Sequence, residues 1–78
     1  MNIEVAYFGM LTDETGCQAE MVQTSYARVQ ELNLFLQSKY MGLKKLNYRI
    51  AVNDKFVQND HQFQEGDKIS FLPPFAGG

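Results

Sequence analysis

The apolar residues of this chain change their spacing twice within 78 residues, from every second position to every third or fourth and back again. That switch confines the chain to a sheet joined to a helix. Period two places alternate side chains on one face of a strand, whereas a 3.6-residue period lines up one stripe of a helix. In Asn2 to Met10, residues Ile3, Val5 and Tyr7 share one face, and Asn2, Glu4, Ala6 and Phe8 share the other. Phe8 is the exception, an aromatic on the polar side. The segment Leu11 to Gly16 is polar and ends in glycine, so it reads as a loop into a second strand over about Gln18 to Thr24.

From Val29 the spacing is helical: Val29, Leu32, Leu36, Tyr40 and Leu43 fall in one stripe, with Phe35 on its flank. The start of this helix is poorly marked. Ser25 is the nearest capping side chain, and the capping-box position after it is Arg28, a cation where the helix dipole favours an anion. Gly42 is the expected stop. Leu34 lies off the stripe, which fits a wider buried face, a contact surface or a single exposed leucine, the last being commonest. Strand spacing then returns in Tyr48 to Asn53, followed by the turn pair Asn53-Asp54, a short return strand in Lys55 to Gln58, a loop from Asn59 to Asp67 and a last strand, Lys68 to Leu72. The order is ββαβββ: an α+β domain of two layers with one covering helix, formed by residues 1–72 and followed by a tail, 73–78.

Composition removes whole classes of function. Seven Lys and Arg against nine Asp and Glu leave a formal net charge of −2, without the basic footprint that a phosphate backbone requires, so nucleic acid is not an expected partner. No apolar run reaches the length of a membrane span and the chain enters a strand pattern at once, so no membrane partner and a cytoplasmic location are expected. One cysteine, Cys17, and one histidine, His61, exclude an intrachain disulfide and a Cys/His metal cluster. A chain this short buries only about 60% of its unfolded surface, too little for a core and a deep substrate pocket together. Any chemistry belongs at an edge or in a partner's pocket.

The tail carries the functional signal. Pro73 and Pro74 cannot donate to a ladder, so they end the sheet, and adjacent prolines favour an extended stalk. Beyond them stand Phe75, Ala76, Gly77 and Gly78. Two glycines without Cβ atoms let a backbone pass through a channel too narrow for side chains and present the terminal carboxylate to a reagent held elsewhere. In the last strand Ile69 and Phe71 face one way and Ser70 and Leu72 the other, which makes Leu72, like Phe8, apolar on the side expected to be wet. Were the first and last strands neighbours, Phe8, Leu72 and Phe75 would form one patch beside the stalk, and clustered apolar side chains mark interfaces.

With these residues in place the chain resembles the ubiquitin-like sulfur carriers of the β-grasp fold, most closely the MoaD type, the small subunit of molybdopterin synthase. The resemblance runs through Tyr7-Phe8 and Leu11 to Gly16, Val29-x-x-Leu32, Ala51-Val52-Asn53, Glu65-Gly66-Asp67 and the ending FLPPFAGG. Arg28 departs from it, since such proteins often carry a hydroxyl residue before the helix. The resemblance implies a mixed sheet and a carrier without catalytic power of its own. An E1-like adenylyltransferase spends Mg-ATP on the terminal glycine, a persulfide donor converts the adenylate to a thiocarboxylate, and the large synthase subunit receives the sulfur for cyclic pyranopterin monophosphate. It also implies a heterotetramer and no cofactor bound by this chain.

Transferred onto this sequence, Gly78 carries the adenylate and thiocarboxylate, Gly77 permits passage of the tail, Phe75 and Ala76 line its entry, and Phe8 and Leu72 contact partners. His61, in a polar loop without a paired nucleophile, reads as a surface histidine, and Cys17, with no basic neighbour, as a small strand-edge residue. A ThiS-type carrier for the thiazole of thiamine, a modifier conjugated to lysines and an interaction module with an inert tail are the alternatives. ThiS-type carriers are usually shorter and lack the Pro-Pro before the glycines.

Overall fold

Two parallel strands at the centre of the sheet set the geometry of everything at the tail. The computed structural model of the chain describes residues 1–74, in the order β1 (Asn2–Tyr7), α1 (Met10–Thr15), β2 (Ala19–Gln23), α2 (Val29–Lys39), a 3-10 helix (Met41–Lys45), β3 (Arg49–Val52), β4 (Lys55–Phe56) and β5 (Lys68–Leu72). The five strands lie in the order β2-β1-β5-β3-β4, with β1 and β5 parallel and the other neighbours antiparallel. This is the mixed sheet that the β-grasp resemblance implies. Ile3, Val5, Tyr7, Val22, Ile50, Val52, Ile69 and Phe71 bury one face against Val29, Leu32 and Leu36 of α2 and Leu43 of the 3-10 helix. Fully burying each such side chain stabilises the fold by about 1.5–3 kcal/mol.

The segment read as a loop from Leu11 to Gly16 is a short helix instead. Gly9 turns the chain at φ +61°, Leu11 and Thr15 then lie one helical turn apart and are both buried, and Gly16 closes the turn in the left-handed region. The i, i+4 pair Leu11 and Thr15 was the available signal, masked by its polar neighbours. The order is therefore βαβαβββ with a 3-10 turn, not ββαβββ.

Helix α2 starts as the stripe predicts but is capped otherwise. Glu31 reaches back to accept from the backbone N–H of Arg28 (3.2 Å) and Ala27 (3.4 Å). The N–H groups of Val29 and Gln30 donate to the carbonyls of His61 (3.0 Å) and Asn59 (2.9 Å), so a distant loop satisfies the helix start. The stop also differs. The helix ends at Lys39, before Gly42, and Leu43 completes the buried stripe from the 3-10 helix. Gly42 lies inside the 3-10 helix, where a Cβ would meet only the carboxylate of the exposed Glu14, a flexible end able to move aside. Leu34 is 57% exposed, which excludes the wider buried face, and Phe35 is 38% exposed beside Tyr26.

The β3–β4 connection is the two-residue turn expected, with Asn53 and Asp54 both at positive φ (51° and 71°). Its strands are shorter than predicted, Arg49–Val52 and Lys55–Phe56. The last strand is Lys68–Leu72 as read from the alternation. No helix among the described residues is long and apolar enough to cross a membrane.

Candidate functional site

The site begins where β1 and β5 end side by side. Their parallel register sets Tyr7 against Phe71, and the N–H of Phe8 donates to the Phe71 carbonyl at 3.1 Å, so Phe8 and Leu72 emerge as neighbours. Phe8 is 42% exposed and Leu72 half-buried. Tyr7 and Phe71 point the other way, into the core. The condition set on the patch of Phe8, Leu72 and Phe75, that the first and last strands be neighbours, holds, while its third member, Phe75, lies outside the described residues. One part of the alternation needs correction: Ser70 is buried, although it shares the face of Leu72. Across the sheet, Ala19, Ala6, Ser70 and Ala51 stand in one register row, and side chains this short stay low in the pleat between taller neighbours.

Gly9 and Pro73 form the root of the tail. A Cβ on Gly9 would lie 2.9 Å from Pro73 Cγ, so the absence of a side chain lets the proline ring settle on the backbone. Positive φ imposes the same choice, since Gly9 at φ +61° and ψ −136° occupies a region that side chains disfavour. The sequence reading passed over Gly9; its signal was a lone glycine directly after the strand's last aromatic. Beside it opens a pocket of about 440 Å³, whose lining includes Met10, Leu11, Lys45, Leu46, Pro73 and Pro74. Phe75, Ala76, Gly77 and Gly78 lie outside the described residues.

An aromatic stack supports this end of the sheet from below. Tyr7 meets Phe71 at 5.7 Å and Tyr40 edge-on at 6.0 Å, and Tyr48 covers the other side of Phe71 at 5.2 Å. The polar tips are satisfied within the stack. Glu20 accepts from Tyr7 Oη and Tyr40 Oη, both at 2.7 Å, and from Lys39 Nζ at 3.0 Å. Burial pushes the Glu20 carboxyl up, but the three donors together outweigh it and hold the group below the ordinary carboxylate value. Burial, and then the bond to Glu20, pushes the Tyr7 phenol far above its usual range, so it stays a neutral donor. Tyr48 donates to Asn33 Oδ1 and accepts from Gln37 Nε2, pinning the start of β3 to α2.

Among the described residues near the root, none supply a nucleophile, base and orienting group in hydrogen-bond sequence. His61 is exposed in its loop, where its backbone carbonyl serves α2. Cys17 is partly buried just before β2, beside Thr15, and packs on the core. Among the described residues no group of three or more His, Cys, Asp or Glu could hold a metal ion. What the arrangement offers is a firm platform, an apolar rim and a point of departure for the chain.

Comparison with known proteins bears on the family and the fold. The sequence model of the ThiS family matches residues 5–78. The molybdopterin synthase sulfur carrier subunit of Escherichia coli (strain K12) is 28% identical over 80 residues, spanning 97% of this chain and 99% of that protein. In the complex of subunits 1 and 2 of the molybdopterin-converting factor from Helicobacter pylori, one chain superposes with a TM-score of 0.74 at 30% identity, with all of both chains covered. Small archaeal modifier protein 1 from Haloferax volcanii superposes with a TM-score of 0.82 at 17% identity, over 94% of this chain and 97% of that one, a likeness of fold.

Proposed function

The chain belongs to the ThiS family as a sulfur carrier of the MoaD and ThiS type, and from that premise we propose that it is the small subunit of a molybdopterin synthase, with residues 1–72 as the folded body and 73–78 as the working tail. The observation that carries this reading is the parallel pairing of β1 with β5. It sets Phe8 and Leu72 together at the point where Pro73 and Pro74 lead out of the sheet.

The chemistry follows from the weakness of a carboxylate as an electrophile. A terminal carboxyl has a pKa of about 3.5 and is ionised at neutral pH, so it needs activation before sulfur can replace oxygen. An E1-like adenylyltransferase joins the Gly78 carboxylate to AMP from Mg-ATP and releases pyrophosphate. The outer sulfur of a persulfide donor displaces AMP to give an acyl disulfide on Gly78, and a thiol then attacks the donor's sulfur, forming a disulfide with it and releasing the thiocarboxylate. The tail then enters the large synthase subunit, its sulfur bonds to cyclic pyranopterin monophosphate, and water cleaves the acyl–sulfur bond to leave the sulfur there and return the carboxylate. Gly77 allows the narrow passage, Phe75 and Ala76 line the entry, and Phe8 and Leu72 bear on the partner. The body of the chain holds no cofactor in this scheme, and the cycle runs in the cytoplasm, where ATP is available. Two large subunits with two carriers make the assembly.

Intact mass tests the reading. The chain is incubated with an activating enzyme of the molybdopterin pathway, Mg-ATP and a sulfur donor, and its C-terminal fragments are mapped. The expected change is one oxygen exchanged for sulfur on Gly78, and deletion of Gly78 removes it without loss of thermal stability. An unchanged mass beside a modified control carrier refutes the proposal. Modified chain that supplies sulfur only to thiazole synthesis moves it to the thiamine pathway, and isopeptide adducts on lysines make it a modifier.

A further inference from the structure

The two edges of the sheet are of unlike design. One is β4, two residues long, with Lys55 in it and the Arg49 guanidinium 3.7 Å from the centre of the Phe56 ring. Short strands and lysines are the usual protection of an edge. The other is β2, five residues without a proline, a lysine or a bulge. The bonds that flank it, from Thr24 N–H to the Met1 carbonyl and from Tyr7 N–H to the Gln18 carbonyl, both 2.9 Å, fix which groups turn toward β1: those of Gln18, Glu20, Val22 and Thr24. The N–H and C=O groups of Ala19, Met21 and Gln23 therefore point away from the sheet, and among the described residues they meet no partner in the chain. All three residues are exposed, Met21 to 67%.

Such a row of groups is closed by another strand, and the chain's own β2 fits it as it stands. We propose that two copies of the chain pair antiparallel through β2, about a two-fold axis at Met21. Met21 then faces Met21 of the second copy, and Ala19 faces Gln23 on either side of the axis, so each opposed pair exchanges both of its N–H···O bonds. On the helix side of the sheet Glu20 lies against Val22 of the second copy, so no like charges meet, and the Glu20 charge is already taken up by Lys39 at 3.0 Å. The two methionines, exposed in the single chain, cover each other at the axis. Moving the axis by one residue loses an opposed pair, and moving it to Glu20 sets that carboxylate against its own copy. Both tails stay clear of the contact. Ala19 stands beside Ala6, at the end where β1 runs on to Gly9, and the axis places these ends at opposite sides of the joined sheet. The inference goes beyond the carrier reading and does not depend on it.

The test is sedimentation equilibrium of the full chain, with amide chemical shifts followed over the same concentrations. An interface of one strand pair is small, so a dimer with a Kd on the order of 100 µM is expected. The amides whose shifts move with concentration are expected in β2. Met21→Pro removes the central outward N–H, which β1 does not use, and Met21→Lys sets two cations together at the axis while Glu4 stands beside the lysine within its own chain. Each is expected to raise the Kd by about tenfold or more, and Met21→Lys to keep the melting temperature of the dilute chain. A chain that stays monomeric at about 1 mM overturns the proposal and leaves the edge to an extended segment of another protein. A Met21→Lys variant with the wild-type Kd overturns it as well, as do concentration-dependent shifts confined to α2 or β4, which place the contact elsewhere.

Discussion

The two ends of the central strand pair are built on opposite principles. At the end where β1 and β5 start, polar side chains close every gap. Glu65 accepts from the N–H of Asn2 at 2.9 Å, Asp67 accepts from Gln64 N–H at 2.8 Å and from Asn53 Nδ2 at 3.0 Å, and Asn53 Oδ1 accepts from Lys68 N–H at 3.0 Å. Gly66, at φ +86°, makes the turn that lets these groups converge, and its N–H returns to the Asn2 carbonyl. At the end where the strands finish, Phe8, Gly9, Leu72 and Pro73 offer apolar surface, and the two prolines have no N–H to give. Among the described residues, one end is closed by polar side chains of the chain itself and the other presents apolar ones. The proposed carrier role uses that asymmetry, because a tail handed between partners must leave from a surface that any partner can cover.

The sharpest way to break the contrast is at Gly9. Gly9→Ala combines a disfavoured positive-φ conformation with an approach of 2.9 Å to Pro73, and neither strand can shift without disturbing the Tyr7–Phe71 packing below. The expected cost is about 2–3 kcal/mol in a urea melt. Affinity for the activating enzyme should fall as well, since Pro73, from which the tail departs, is displaced. A variant that matched wild type in both would mean that the tail root is not fixed by this contact. Asp67→Ala is the counterpart at the polar end. It removes two hydrogen bonds at an accessible turn, so about 1–2 kcal/mol should be lost by the same melt. Partner affinity should be untouched, because the substitution lies at the opposite end of β5. Weakened binding would show that the two ends are coupled.

How much of this could be read beforehand follows the same division. The strands and the long helix were legible because their apolar periods are regular, and the Asn53-Asp54 turn because its residues tolerate positive φ. Pairing of Phe8 with Leu72 followed once the first and last strands were taken as neighbours, a condition that alternation alone does not supply. The features that escaped depend on contacts between distant segments. Helix α1 shows only two buried residues, Leu11 and Thr15, in a polar hexapeptide. The first N–H groups of α2, on Val29 and Gln30, are satisfied by the carbonyls of His61 and Asn59, far away in sequence. Gly42 looked like a terminator, yet it lies inside the 3-10 helix that follows α2, and no local pattern reveals that continuation. The pocket beside Pro73 joins α1, the 3-10 helix and the end of β5, and no stretch of sequence contains all three.

The smallest effect concerns the support under the tail and can be separated from the rest by pH. Glu20 is held below the ordinary carboxylate value, so its ionised form binds the folded state more strongly than the unfolded one. Its contribution is fully present above the unfolded pKa of about 4.3 and is lost as the pH falls through the lower folded value. Glu20→Gln removes the charge while keeping an acceptor for one of the two tyrosines. Stability at pH 7 should drop by about 1 kcal/mol, and the acid limb of the stability curve below about pH 4.5 should become shallower. If the acid limb is unchanged in the variant, other carboxylates govern the acid response and the Tyr7–Glu20–Tyr40 bonds merely accompany the fold. If it flattens while affinity for the activating enzyme stays at the wild-type value, the aromatic stack is a support that the partner never senses, and the tail end owes its form to Gly9 and Pro73 alone.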